Sequence, residues 1–85
     1  MNNLKHYRKK IDLIDRNIVK LLLLRFKLVK QIANYKRKNK IKVTDKKREY
    51  KIINNIKKYS DKQHKKFITD IFKRLIDYSK RMQSK

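Results

Sequence analysis

The chain has 85 residues, enough for one helical domain over 1–85 but too few for a large core, and it contains no Gly, Pro or Cys. Without Cys there is no disulfide framework and no cysteine nucleophile, and without Gly there is no glycine-rich phosphate loop. A formal net charge of +21, from 28 Lys and Arg against 7 Asp and Glu, suits a polyanionic partner.

The excess charge is mostly Lys, runs through every segment, and accompanies abundant Ile and Asn with a single Ala. Drift of a genome toward A and T explains that pattern better than a selected binding face, which would cluster on one side. Nucleic acid is therefore not the expected partner, although the charge can still speed capture of a small anion.

Residues 4–39 read as one long amphipathic helix. Ile11, Ile14, Ile18, Leu21, Leu28 and Ile32 follow the three-and-four rhythm of a helical stripe. Arg25 takes the slot between Leu21 and Leu28. Lys36, further along the chain, returns to within about 20° of Arg25 around the helix. Cations on a face meant for burial call for an anion between them, because an unpaired buried charge is costly. At 1.5 Å per residue the helix is about 54 Å long, while a compact chain of this size has a radius of gyration of about 12 Å. Its own chain cannot cover it, so a second copy is expected along it in an intertwined homodimer. The alternative is a helix broken near residues 34–39 and folded back on itself.

Residues 37–44 alternate polar and apolar and include Ile41 and Val43, which suggests a short extended connection. Thr44 and Asp45 both offer an N-cap for a second helix over 46–58, and Asp45 is preferred because its charge also favours the positive end of the helix. That helix would bury Ile52, Ile53 and Ile56, with Tyr59 as a further candidate, and carries Arg48 and Glu49 in its first turn. Taken alone, the pair reads as a solvated Arg beside a Glu that complements the helix dipole. Residues 59–63 form a turn in which Ser60 and Gln63 have capping-box spacing, although a start nearer His64 fits equally. The third helix continues to about Gln83, with Phe67, Ile68, Ile71, Phe72, Leu75, Ile76 and Met82 on its apolar face. Phe72, Ile76, Ser79 and Gln83 share one row that begins apolar and ends polar, which by itself is also how a fraying C-terminus looks.

His6 and His64 are isolated and flanked by polar residues, so no metal site is signalled, and no local motif supports a Ser–His–acid triad. No metal and no cofactor is expected. The run Leu21 to Leu24 is far too short to span a membrane and the N-terminus does not look like a signal peptide. A soluble, cytoplasmic protein with no membrane partner is the expectation. Fixed cations and hydrogen-bonding groups on helix faces suit the binding of a small polyanion and the stabilisation of charge as it redistributes.

The order and spacing of these residues resemble the all-helical, type II class of chorismate mutase over nearly the entire chain. Leu4, Arg8, Ile11 and Asp15 match the family's opening pattern, and Arg25 and Lys36 its leucine-rich helix. Asp45, Arg48 and Glu49 match the start of its second helix, and Ser79 and Gln83 the close of its third. The resemblance implies an all-α fold of three helices per chain, with long first helices paired in a homodimer and each site completed by the partner. It implies conversion of chorismate to prephenate by a pericyclic shift of the enolpyruvyl group, in phenylalanine and tyrosine biosynthesis.

By the same resemblance, Arg25 and the partner's Arg8 would hold the substrate carboxylates, assisted by Ser79 and the backbone at Asp45. Lys36 and Gln83 would serve the ether oxygen, Glu49 the ring hydroxyl, and Arg48 would frame that end. Some relatives of this fold instead eliminate pyruvate from isochorismate. Glu49 favours the mutase, since it provides a partner for that substrate's hydroxyl. A basic helical nucleic-acid binder is the rival from another class, and it leaves Arg25, Ser79 and Gln83 unexplained.

Overall fold

The computed structural model describes residues 2–84: α1 spans Asn3–Lys38, α2 spans Lys46–Tyr59 and α3 spans Lys65–Gln83. Among the described residues there is no strand, and no helix is long and apolar enough to cross a membrane. The helix bounds follow from local chemistry. Asn2 caps α1 by accepting the Lys5 N–H at 3.0 Å. α1 then continues unbroken through residues 34–38, which removes the folded-back alternative.

Without a glycine to end it, α1 closes on a lysine in the left-handed region, Lys40 at φ 54°. The Ile41 N–H reaches the Lys36 carbonyl at 2.8 Å and the Lys40 N–H reaches that of Arg37 at 3.4 Å. These are the two bonds of a Schellman motif, which satisfy carbonyls that would otherwise be orphaned. Lys36, Arg37 and Lys38 add positive charge at the negative end of the helix dipole.

The expected cap of α2 is present: the Asp45 carboxylate accepts the Arg48 N–H at 3.0 Å. The turn that follows α2 uses different bonds from those of a capping box. The Ser60 hydroxyl donates to the Ile56 carbonyl at 2.7 Å and so closes α2, while Asp61 accepts the His64 N–H at 2.7 Å. α3 accordingly takes the later of the two starts, with His64 as its N-cap residue. Hydrogen bonds from the His64 ring and backbone hold the exposed Asp61 carboxyl below the usual carboxylate range.

α3 packs against both other helices, while α1 and α2 do not approach one another's backbones. The buried residues are Val29 and Ala33 from α1 with Thr69, Ile76 and Ser79 from α3. Phe26 of α1 meets Tyr78 of α3 edge-on, with ring centroids 5.1 Å apart. Leu28 and Ile32 of the predicted stripe each precede a buried α1 residue by one position, about 100° around the helix, and are left about half exposed. Tyr59, a candidate for the buried face of α2, is 81% exposed, and Phe67 of α3 is also exposed; both flank the turn between those helices.

The most consequential feature is the uncovered half of α1. Every residue from Asn2 to Leu21 is exposed, including Leu4, Tyr7, Ile11, Ile14 and Ile18. The chain is therefore a rod with a short side branch, 60 × 26 × 15 Å with a radius of gyration of 16.6 Å. A chain of this length that closed on itself would have a radius of gyration of about 12 Å.

Candidate active site

Where the second half of α1, the 39–45 connection, the first turn of α2 and the last turns of α3 converge, they enclose a cavity of about 440 Å³. Arg25, Lys36, Asp45, Arg48, Glu49, Ser79 and Gln83 line it together with Lys80. Leu28, Val29, Ile32, Val43, Ile52 and Ile76 supply the apolar wall. Seven of the eight residues singled out from the sequence are thus brought to one place. Arg8 is not among them. It lies toward the start of α1, about 26 Å from Arg25 at 1.5 Å per residue, exposed on a shallow surface with Asn2, Lys5 and Asp12.

The cavity groups are held before any ligand arrives. An Nη1–H of Arg25 donates to the Ser79 hydroxyl at 2.7 Å, which ties α1 to α3. Lys36 donates to the Val43 carbonyl at 2.9 Å, which ties the connection back onto α1. Burial pushes the Arg25 guanidinium below its ordinary range, and the nearby charge of Arg48 pushes it further in the same direction. Arg25 and Arg48 thus repel one another at the edge of an apolar wall, a tension that an anion bound between them would relieve.

The charge balance points to the same kind of ligand. Arg25, Lys36, Arg48 and Lys80 are four cations against the two carboxylates of Asp45 and Glu49, an excess of two positive charges. Asp45 is already engaged as a helix cap. Among the described residues, two buried acceptors of the cavity lack any hydrogen-bond partner, Glu49 Oε2 and Gln83 Oε1. Buried oxygens without donors are costly, so both are suited to a ligand that carries hydroxyl or other donor groups. The cavity fits a small dianion with a donor group and an apolar body.

The family model for chorismate mutase type II matches residues 7–84, a stretch that takes in Arg8 and every polar residue of the cavity. The chain belongs to the chorismate mutase type II family. Chorismate mutases are isomerases that act on chorismate. No curated protein and no solved structure matches this chain.

Two features of the cavity were missed by reasoning from sequence. One is the Val43 carbonyl, because main-chain groups leave no trace in residue type. The other is Lys80, whose Nζ lies 3.5 Å from Glu49 Oε2. The signal for Lys80 was present, since it stands four residues after Ile76 and three before Gln83 and so shares their side of α3. Among 28 Lys and Arg it carried no distinguishing mark.

Proposed function

We propose that this chain is a homodimeric chorismate mutase that converts chorismate to prephenate and so supplies phenylalanine and tyrosine synthesis. The observation that carries the reading is the convergence of Arg25, Lys36, Arg48, Glu49, Ser79 and Gln83 on one cavity with an excess of positive charge. The reaction is a pericyclic rearrangement that proceeds without a covalent intermediate. The protein's contribution is to hold the compact conformer and to stabilise charge that grows on the ether oxygen as its bond to the ring breaks.

Arg25 grips one carboxylate, oriented by its bond to Ser79, with the backbone at Asp45 assisting. Its planar fork suits a carboxylate, whereas Lys36 brings a point charge to one developing centre, the ether oxygen. The Gln83 amide donates to the same oxygen at any physiological pH. Glu49 Oε2, which has no donor of its own, accepts the ring hydroxyl, and Arg48 frames that end. Arg8 of the partner subunit supplies the second carboxylate contact. A second copy is called for because the exposed first half of α1 presents Ile11, Ile14 and Ile18, more contiguous apolar surface than a monomer leaves in water.

The test is to incubate purified protein with chorismate, following its loss by ultraviolet absorbance and its products by NMR. Prephenate formation is the expected result. Pyruvate release from isochorismate in a parallel reaction, without prephenate from chorismate, would move the chain to lyase chemistry. Inertness toward both by a folded dimer would overturn the enzymatic reading.

A further inference from the structure

The Glu49–Lys80 pair stands where two hollows meet. One is the cavity just described. The other is an open groove between α2 and α3 lined by Lys46, Tyr50, Ile53, Lys73 and Asp77, the last paired with Arg81, and Glu49, Ile76 and Lys80 border both. The Glu49 carboxylate therefore has two directions available to it: inward to the ligand, or outward to water and the lysines of the groove.

Most ion pairs between exposed side chains contribute little. Here the Lys80 and Glu49 side chains are only 31% and 24% exposed, and Ile52 and Ile76 lie beside them on the cavity wall. In that setting an uncompensated carboxylate is costly, and the ammonium 3.5 Å from Oε2 offsets the cost. It does so without a hydrogen bond: Oε2 is buried and still accepts nothing. The lysine neutralises the charge and leaves the acceptor open.

We propose that Lys80 is a positioning residue that keeps the Glu49 carboxylate turned into the cavity, ready to accept the ligand's hydroxyl. This rests on the chorismate mutase reading above, in which Glu49 receives the ring hydroxyl. Loss of the ammonium frees the carboxylate to turn toward Lys46 and Lys73 in the outer groove, and substrate then loses one of its holds. Arginine at position 80 keeps the charge near Glu49 and restores most of the effect.

The experiment is a double-mutant cycle in the full chain, with kcat and KM measured on chorismate for Lys80→Met, Lys80→Gln, Lys80→Arg, Glu49→Ala and the Glu49→Ala/Lys80→Met pair. Lys80→Met and Lys80→Gln are expected to lower kcat/KM about tenfold, the scale of one hydrogen bond to a charged group. Lys80→Arg should recover most of the loss, and Lys80→Met should cost almost nothing further once Glu49 is Ala. Equal costs of Lys80→Met in the two backgrounds would overturn the proposal, because Lys80 would then act independently of Glu49. Near-normal kcat/KM in Lys80→Met and Lys80→Gln would overturn it as well. In both of these cases the active parent leaves the mutase reading standing, whereas a parent inert on chorismate would overturn that reading and this proposal together.

Discussion

Arg8 and Arg25 share one straight helix and stand about 26 Å apart, so a site that uses both must take one from each chain. The consequence can be measured by mixing two inactive variants. If the proposed shared site is right, Arg8→Ala and Arg25→Ala homodimers would each lack a carboxylate contact at both sites, and each is expected to lose about 100-fold or more in kcat/KM. When the two chains are unfolded in urea together and refolded, about half of the dimers are mixed if association is random. In a mixed dimer, one site takes the intact Arg25 of the first chain and the intact Arg8 of the second, while the other site lacks both. One working site in half of the dimers restores about one quarter of the parental activity, a rise of at least twentyfold over either variant alone. Chorismate loss is assayed on the mixture, with a size tag on one chain to quantify mixed dimers. Activity that stays at the level of the separate variants, although mixed dimers are present, would refute the shared site. An Arg8→Ala homodimer of near-normal activity would remove Arg8 from the site altogether.

Lys36→Ala should lower turnover about 100-fold or more with helicity unchanged by circular dichroism, and a near-normal rate would exclude Lys36 from the chemistry. Gln83→Glu makes donation to the ether oxygen depend on protonation. Its activity should shift toward acid pH relative to the parent, because only the protonated carboxyl can donate; a profile that does not shift from the parent's would contradict the contact. Lys40→Gly removes the steric penalty of a left-handed lysine, about 1–2 kcal/mol, partly offset by the greater freedom of glycine in the unfolded chain. A net gain of roughly 0.5–1 kcal/mol in urea denaturation is expected, and a loss would show that Lys40 is not held at positive φ in solution.

The three helices were legible along the chain because they depend on local rules, as was the placing of Arg25 and Lys36 on one face, whereas Arg48, Glu49, Ser79 and Gln83 stood out only through the resemblance to chorismate mutase. Alternating three-and-four spacing marks a helix whatever it packs against, and Asp45 can cap α2 with a bond that spans only three residues. Arg25 and Lys36 fall on one side of α1 by geometry alone, as Ser79 and Gln83 do on α3. Local rules did not separate competing short-range bonds in the 60–64 turn. The capping-box spacing of Ser60 and Gln63 and a start nearer His64 fitted equally, and the Ser60 hydroxyl went instead to the bond that ends α2.

What the sequence by itself determined is that this chain makes helices with cations set among apolar side chains, and in what order those residues arrive. Only the tertiary structure decided which side of α1 meets α3. The stripe is wider than one neighbour can cover, so burying Val29 and Ala33 left Leu28 and Ile32 about half exposed on an adjoining face. The pairing of Glu49 with Lys80 was settled the same way, since they are 31 residues apart and meet only because α2 and α3 pack. The separation of Arg8 from its expected companions has the plainest cause: a helix rises 1.5 Å per residue, and α1 does not bend back.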